Sequence, residues 1–263
     1  MKLLPICSSS KGNSTYIGTK EKGVAIDVGC SFKAFCAGIA AVGADIGSVK
    51  AILITHDHSD HVKGLLTLTK HTSIPIYAAE DTLDYLIRQG LVSSTADLRS
   101  VSELGGIDFE ADISCFTTPH DALASVGYRF GFSDQSLGFA TDLGRVTDEV
   151  RKNLTGCRTV FIEANYQPER LRGNPNYPEY LKRRILSDIG HLSNPDSAAF
   201  CAELVKKGTV NLVLGHLSQE NNTRELAFGA VRDRLAAEGS VIERDYTLSV
   251  AQVSNISGEY ITF

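Results

Sequence analysis

Short apolar runs recur along the chain, separated by polar or turn-forming residues. Runs of about four to eight residues that are rich in Val, Ile, Leu and Phe and bounded by Gly, Pro or Asp predict strands. In the first half of the chain this pattern predicts strands over 3–7, 14–18, 24–28, 51–54 and 74–78. Apolar residues at helical spacing predict helices over 31–39, 61–70 and 80–89, the first with Ser31 as its N-cap.

The second half of the chain interleaves strands and helices in the same way. Three strands are predicted between 113 and 141, followed by strands over 159–162, 210–214, 248–253 and 258–262 and helices over 178–188, 194–207 and 223–238. The chain shows no internal repeat, low-complexity tract or linker, so we expect a single α/β domain over residues 1–263. Two sheets packed face to face with helices outside would account for this pattern.

A run of metal-binding residues follows directly after one predicted strand. His56, His58, Asp60 and His61 form an H-x-H-x-D-H motif after the apolar stretch 51–54, and the motif holds three of the seven histidines. Imidazole is a ligand for zinc, iron and nickel, and the carboxylate adds harder metals such as manganese. The motif therefore predicts a metal site at the rim of a sheet.

Three more potential ligands also come at the ends of predicted strands. His120 follows the run 113–116, Asp142 follows 137–141, and His216 follows 210–215. Each of them taken singly is an ordinary polar residue at a strand end. Their recurrence together with the motif favours one shared metal site.

These residues, in this order and with Asp27 after the strand 24–28, resemble the metallo-β-lactamase superfamily. Several segments resemble its WalJ/YycJ-type branch in particular: Cys7–Ser14, 162–166, 177–178, 181–188, 190–194, 215–218 and 221–222. The superfamily resemblance implies a four-layer αββα sandwich. The branch resemblance implies a bacterial metal-dependent exonuclease that acts on DNA.

The ligands can be divided between two divalent ions, which we expect to be zinc or manganese, with iron as an alternative. His56 and His58 lie two apart on an extended loop and can face one ion together with His120; Asp60 and His61 point to a second ion with His216. Asp142 is the expected bridge, because a carboxylate has two oxygens. Two ions about 3.5–4 Å apart polarise a phosphoryl oxygen and generate hydroxide near neutral pH. Asp60 is thus a catalytic candidate as well as a ligand.

Three acidic or amide residues are expected to support these ligands. Asp27 is predicted to hold a ligand histidine or the loop backbone, with a simple turn residue as the alternative. Glu163 and Asn165 follow the strand 159–162 and therefore lie at the rim of a sheet. We assign both of them to support of the active site.

His191 is the second catalytic candidate. It lies just before a predicted helix for which Ser193 or Asn194 is a suitable N-cap. Exposed backbone N–H groups at such a terminus bind phosphate, which makes Ser193 and Asn194 candidate substrate-binding residues. His191 would then bind that phosphate or protonate the leaving oxygen. The alternative is a capping loop whose histidine only makes local hydrogen bonds.

The composition limits the choice of compartment and partner. Of the 263 residues, 43% are hydrophobic, which is enough for a sizeable core. The net charge of −5 argues against a protein coated in cations. No stretch reaches the roughly 20 apolar residues that a membrane span needs, and the start of the chain does not resemble a signal peptide. Six scattered cysteines without a C-x-x-C pair are typical of a reducing cytosol. We therefore expect a cytoplasmic protein that does not contact a membrane.

One segment departs from the acidic average. Residues 151–190 contain eight cations and four anions, a balance of +4 that leaves −9 for the remainder. Cations contact phosphates and aromatic rings stack on unpaired bases, so Lys182, Arg183 and Arg184, interleaved with tyrosines, are candidate nucleic-acid contacts. The alternative is an ordinary solvated helix face.

Three functional hypotheses follow. The first is a dinuclear metal-dependent phosphodiesterase that cleaves DNA, the expected partner, from an end. The second is a small-molecule hydrolase of the same fold, acting on a cyclic phosphate, lactone or thioester. The third is a metal-binding regulatory protein whose catalysis has lapsed, and the intact ligand set argues against it.

Overall fold

A computed structural model describes residues 1–255 and 257–263. They divide into two compact units. The first unit comprises Met1–Ser114, Ala122–Val126 and Gln252–Phe263, and the second comprises Cys115–Asp121 and Gly127–Ala251. The single domain over 1–263 stays a prediction.

Within the described residues, the first unit contains a mixed sheet of seven strands. They are β1 (Lys2–Ser9), β2 (Gly12–Gly18), β3 (Gly23–Ile26), β4 (Val49–Leu53), β5 (Ile76–Ala78), β6 (Leu98–Ser100) and β13 (Ile261–Thr262), in the spatial order β13-β1-β2-β3-β4-β5-β6. β1, β2 and β3 pair antiparallel, whereas β3 to β6 pair in parallel. Because parallel strands end at one edge of a sheet, the loops after β3 and β4 are neighbours.

Four helices belong to this unit: α1 (Phe32–Ala41), α2 (Ser59–Val62), α3 (Leu65–His71) and α4 (Glu80–Arg88), counted over its described part. The predicted cap of α1 is confirmed, since the Ser31 side chain accepts from the Ala34 N–H. Phe35 of α1, Leu68 of α3 and Leu86 of α4 are buried in one core cluster with Ile52 of β4. Burial of side chains of this size contributes about 1.5–3 kcal/mol each, and this packing anchors the edge from which the loops leave.

The second unit, all of whose residues are described, contains a six-stranded sheet. Its strands are β7 (Asp112–Thr117), which ends in this unit, β8 (Val126–Gly131), β9 (Ser136–Ala140), β10 (Thr159–Glu163), β11 (Asn211–Gly215) and β12 (Thr247–Val250), in the order β12-β11-β10-β9-β8-β7. β9, β10, β11 and β12 pair in parallel. The loops after β9, β10 and β11 therefore leave from the same edge of this sheet.

The helices of the second unit are α5 (Asp148–Leu154), α6 (Pro168–Gly173), α7 (Glu179–Ile185), α8 (Asn194–Lys206) and α9 (Arg224–Ala237). Leu154 of α5, Phe200 of α8 and Val231 of α9 are buried in a core cluster with Ile162 of β10 and Leu212 of β11. In the described part of the chain, no helix combines the length and apolar character needed to cross a bilayer.

The predicted helix over 61–70 is interrupted in the structure. α2 ends at Val62 and α3 begins at Leu65, with Gly64 between them. A Cβ at Gly64 would lie 2.2 Å from the carbonyl oxygen of Cys30. Its N–H donates to the carbonyl of Val28, so the chain turns here to follow the loop after β3. Apolar periodicity alone does not reveal this break, because the partner backbone is more than thirty residues away in sequence.

Candidate metal centre

Three of the predicted site residues adopt a backbone conformation that is rare outside glycine. Asp27, Asp142 and His216 have φ angles of 59°, 57° and 56°; among the described non-glycine residues, Glu243 also has a positive φ. Each of the three follows a strand, β3, β9 and β11 respectively. The left-handed conformation costs roughly 1–2 kcal/mol per residue. Strain that recurs at strand ends is typical of a functional site.

The H-x-H-x-D-H motif spans the loop after β4 and the start of α2. His56 and His61 are fully buried. The ring centroid of His56 lies 4.7 Å from that of His58 and 4.1 Å from that of His61. The Nε2 atom of His61 lies 3.4 Å from Oδ2 of Asp60. The loop thus gathers all four predicted ligands of the motif.

Asp27 holds this loop from the neighbouring strand. Its carboxylate accepts hydrogen bonds from the Thr55 N–H at 2.8 Å, the Thr55 hydroxyl at 2.8 Å and Nδ1 of His61 at 2.7 Å. Burial raises the pKa of the Asp27 carboxyl above its ordinary value, and the bonds from His61 and Thr55 act in the opposite direction. Because Nδ1 of His61 donates to Asp27, the lone pair of this ring lies on Nε2, beside Asp60.

In the second unit, one carboxylate oxygen lies among three imidazole rings. Oδ1 of Asp142 is 3.5 Å from Nε2 of His120, 3.6 Å from Nε2 of His216 and 3.7 Å from Nδ1 of His191. Asp142 and His216 are 1% exposed and His120 is 8% exposed, so this charge is almost wholly removed from water. A buried carboxylate normally requires a cation or close donors.

These separations test whether a metal would fit. The nitrogen–oxygen separations around Asp142 are longer than a typical N–H···O hydrogen bond, which is about 3 Å. Two ligand atoms that bind a tetrahedral ion at roughly 2.0–2.1 Å are about 3.4 Å apart. Asp142, Glu163, His191 and His216 each offer an atom within 4.8 Å of the others. The donor set and its spacing therefore fit a divalent metal ion.

Glu163, at the end of β10, organises two of these histidines. Its Oε1 accepts from Nδ1 of His216 at 2.6 Å and from Nδ1 of His191 at 2.9 Å. Its Oε2 accepts from the N–H groups of Leu143 at 3.1 Å and Leu192 at 2.9 Å. Burial alone would raise the pKa of Glu163, but the charge and hydrogen bonds of His191 and His216 outweigh it, and the pKa lies well below its ordinary value.

The ring orientations distinguish His191 from His120 and His216. Nδ1 of His120 donates to the Gly190 carbonyl at 2.9 Å, and Nδ1 of His216 donates to Glu163, so Nε2 of each faces Asp142 with its lone pair. His191 uses Nδ1 toward both Glu163 and Asp142, and its side chain is 15% exposed. His120 and His216 have the geometry of metal ligands. Nδ1 of His191 instead faces two carboxylates, so this nitrogen does not have the orientation of a metal ligand.

Asn165 supports His216 from the loop after β10. Its Nδ2 donates to the backbone carbonyl of His216 at 2.7 Å. Its backbone carbonyl accepts from the Ser218 N–H at 2.8 Å. Asn165 therefore fixes the left-handed turn at His216. The sequence assigned Asn165 to support of the active site but did not indicate which residue it contacts.

The side chains at the start of α8 make hydrogen bonds within the protein. Ser193 is the N-cap, as expected, but its hydroxyl is used by the Asp196 N–H and carboxylate. The Asn194 side chain is fully buried and bonds to Gln167 and Asn222, and its N–H donates to the Tyr166 carbonyl. The side chains of Ser193 and Asn194 thus hold neighbouring loops, and a phosphate contact through this helix start stays a prediction.

The three consecutive cations have different surroundings. Lys182 forms an ion pair with Glu179 at 3.0 Å and donates to the Arg172 carbonyl at 2.9 Å. Arg184 makes a two-pronged ion pair with Asp121. Arg183 is exposed. Arg183 is therefore the best placed of the three for a long polyanion.

Arg184 and Asp121 together form a contact that the sequence did not suggest. Oδ1 of Asp121 lies 3.5 Å from Nε2 of His120. The Asp121 N–H also donates to the Ile189 carbonyl at 3.0 Å. Arg184 thus holds the Asp121 carboxylate, which in turn lies beside Nε2 of His120. No local signal predicts this pairing, because the two residues are 63 positions apart.

Asn13 is another site residue that sequence reasoning missed. Its Nδ2 lies 3.1 Å from Oδ2 of Asp60 and 3.1 Å from Nε2 of His61. Asn13 belongs to the segment Cys7–Ser14 that carried the branch resemblance, but no chemistry was assigned to it. Its position after a turn between β1 and β2 gives no metal-site signal by itself.

Comparisons with known proteins place this geometry in context. A family model described as "Beta-lactamase superfamily domain" matches residues 25–216. The exodeoxyribonuclease YycJ of Bacillus anthracis is 35% identical over 242 residues, which cover 89% of this chain and 89% of the relative. The exodeoxyribonuclease WalJ of Streptococcus pneumoniae is 37% identical over 236 residues, which cover 88% of this chain and 87% of the relative.

A solved structure extends the comparison to the fold. The metallo-β-lactamase fold protein YhfI of Bacillus subtilis matches with a TM-score of 0.69 and covers 96% of this chain and 97% of that chain. The two sequences are 12% identical, so this likeness concerns the fold alone.

Proposed function

Since the chain belongs to the family of β-lactamase superfamily domains, we propose that it is a metal-dependent exonuclease that hydrolyses phosphodiester bonds in DNA. Membership confirms the resemblance predicted from the sequence. The predicted α/β fold of the metallo-β-lactamase type is confirmed as well. The observation that carries the proposal is the buried Asp142 carboxylate with Nε2 of His120 at 3.5 Å and Nε2 of His216 at 3.6 Å, a donor set that fits a divalent ion.

The proposal keeps the ligand set that the sequence predicted, and it keeps zinc or manganese, with iron as the alternative, as the two ions. The ligands are His56, His58, Asp60, His61, His120, Asp142 and His216. Bound divalent ions polarise a phosphoryl oxygen and lower the pKa of water, which is the chemistry that phosphodiester hydrolysis needs. Support comes from the Nε2 lone pairs of His61, His120 and His216, each of which is set by a donor bond from Nδ1.

The residues around the ligands have distinct proposed roles. Asp60 contributes to catalysis as a ligand, and Glu163 keeps His216 in the required tautomer. His191 is partly exposed and is anchored through Nδ1 to Glu163. When the ring carries a proton on both nitrogens, Nε2 delivers its proton to the leaving oxygen of the cleaved strand and is left with a lone pair.

The substrate class rests on the relatives and on the charge of the second unit. Both relatives are named exodeoxyribonucleases. Within the segment 151–190, whose balance is +4, helix α7 exposes Arg183 and Tyr180, the latter 70% exposed. A cation for phosphates beside an aromatic ring for bases supports a DNA strand as the substrate. The six cysteines form no disulfide in the described part of the chain, which supports the proposed cytoplasmic location.

A substrate panel tests the proposal. Purified protein loaded with manganese or zinc is incubated with end-labelled DNA, RNA, bis-p-nitrophenyl phosphate and a lactone. We expect DNA to shorten progressively from one end. Hydrolysis of the lactone with intact DNA would refute the proposal and favour a small-molecule hydrolase.

Matched histidine variants keep this assay specific. His216→Ala is expected to abolish cleavage, because His216 borders Asp142. His71→Ala removes an exposed imidazole that stacks on Phe32 and is expected to leave cleavage unchanged. Equal activity of the two variants would contradict the assignment of the site.

A further inference from the structure

Asn13, the second residue of β2, lies directly after the β1–β2 turn and points its buried amide toward the H-x-H-x-D-H motif. Asn13 is 7% exposed, and its Nδ2 lies 3.1 Å from both Oδ2 of Asp60 and Nε2 of His61. One amide nitrogen therefore contacts the two atoms through which these residues would bind a cation. The nitrogen has two N–H bonds and three acceptors within reach, so one N–H serves the Ser9 carbonyl and the other is shared between Asp60 and His61.

The orientation of this amide is fixed by Ser9. The Ser9 N–H donates to Oδ1 of Asn13 at 3.1 Å, and Nδ2 donates to the Ser9 carbonyl at 2.9 Å. A flipped amide would set its NH₂ group against the Ser9 N–H and its oxygen against the Asp60 carboxylate. Both contacts would be unfavourable, so the nitrogen must face Asp60 and His61.

His61 is consequently held at both ring nitrogens. Its Nδ1 donates to Asp27 at 2.7 Å, and its Nε2 accepts from Asn13. A cation that takes the Nε2 lone pair displaces that acceptor bond. The Asp60 carboxylate has further lone pairs, and it can keep its bond to Asn13 while it binds the cation.

The backbone around Asn13 leaves little room for movement. The Gly29 N–H donates to the Asn13 carbonyl at 2.7 Å. A Cβ at Gly29 would lie 1.6 Å from the Asp60 carbonyl oxygen and 2.6 Å from the Asn13 nitrogen. The β1–β2 turn and the start of α2 therefore meet at van der Waals contact through a residue without a side chain.

We propose that Asn13 is a positioning residue that aims the Asp60 carboxylate and sets the affinity of the Asp60–His61 pair for a divalent cation. This inference rests on the metal role proposed for these two residues. Partners that orient a metal ligand typically change metal affinity by roughly 10–100-fold when they are removed. Asn13 contacts both ligand atoms with one amide nitrogen, at 3.1 Å in each case.

The test measures metal binding without any nucleic acid. Zinc and manganese are titrated into metal-free protein by calorimetry, with a chelator competition where binding is tight. Asn13→Ala is expected to weaken binding of one ion by roughly 10–100-fold. Ser10→Ala, an exposed change in the same turn, is the matched control and is expected to bind as the wild type does.

A second variant separates positioning from folding. Asn13→Asp keeps an acceptor for the Ser9 N–H but turns a carboxylate toward Asp60, so the two like charges repel until a cation neutralises them. It should lower the melting temperature of the metal-free protein and bind the metal at least as tightly as the wild type. A merely structural asparagine would lower the melting temperature in both variants and leave metal affinity unchanged in both.

The outcomes for this inference and for the proposed function differ. Wild-type affinity in Asn13→Ala and Asn13→Asp would overturn the role of Asn13 alone, and DNA cleavage by the wild type would stand. A wild-type protein that binds no divalent ion would overturn both. Weakened binding in Asn13→Ala without DNA cleavage by the wild type would retain the positioning role and refute the exonuclease.

Discussion

Replacement of Glu163 by glutamine should destabilise the protein without changing the volume of the side chain. The carboxylate accepts four hydrogen bonds, two from histidine Nδ1 atoms and two from backbone N–H groups. Glutamine offers one oxygen, and its NH₂ group is a donor. Whichever way the amide is placed, two of the four buried donors lose their acceptor.

The magnitude follows from these two lost acceptors. A buried donor left without its partner costs about 1–3 kcal/mol, so Glu163→Gln should lower the free energy of unfolding by roughly 2–6 kcal/mol. At about 2–4 °C per kcal/mol for a chain near this length, the melting temperature should fall by roughly 4–24 °C.

The effect should also depend on pH. The pKa of Glu163 lies below the ordinary value of 4.5, so its ionised form stabilises the fold above pH 4.5. That stability is lost as the pH falls from 4.5 toward the folded-state pKa, whereas glutamine does not titrate. The difference in melting temperature between the wild type and Glu163→Gln should therefore shrink below pH 4.5.

Thermal melts of metal-free protein at pH 7 and at decreasing pH measure both effects. Glu220→Gln, an exposed change in the loop after β11, is the control and should melt within about 1 °C of the wild type. A Glu163→Gln variant that melts with the control at pH 7 would refute the reasoning. A difference that stays constant down to pH 3 would refute the pKa assignment.

Four further predictions concern the metal, the backbone, the substrate and the Arg184–Asp121 pair. Asp142→Ala should lose most of its bound divalent metal, and full occupancy by elemental analysis would remove Asp142 as a bridge. Gly29→Ala should lower both the melting temperature and metal uptake, because its Cβ would meet the backbone of α2 at 1.6 Å; an unchanged melt would contradict this contact. Arg183→Ala should weaken DNA binding. The slope of log binding constant against log salt concentration should fall by about 1, because one phosphate contact is lost. Arg184→Ala should instead lower thermal stability through Asp121, and a melt equal to that of the wild type would argue against this role.

Much of the fold was predictable because strands and ligands share one local pattern. The apolar run 51–54 followed by His56 marks both a strand and a site, and Asp142 and His216 repeat that pattern after β9 and β11. The helix break at Gly64 was not predictable, since it depends on the distant backbone of Cys30. The short elements β6, α5 and α6 carry too few apolar positions to show a period.

The chemistry of the site was predictable for the ligands and less so for their partners. Ser193 was recognisable as an N-cap, because capping is local. The bond between the Asn194 and Asn222 side chains was not predictable, because the two residues are 28 positions apart. Asn13 reaches Asp60 across 47 residues. Contacts of this kind depend on tertiary structure and leave no periodic signal in the sequence.

The left-handed backbone at Asp27, Asp142 and His216 also bears on how this site would decay over generations. Glycine relieves a positive φ, whereas alanine keeps the strain of roughly 1–2 kcal/mol and loses the side chain as well. When selection for catalysis is relaxed, a protein with glycine substituted at these positions should have a higher free energy of unfolding than one with alanine there. Inactive descendants should therefore carry glycine at positions 27, 142 and 216 more often than alanine, and those three positions would mark a gene that has ceased to encode an enzyme.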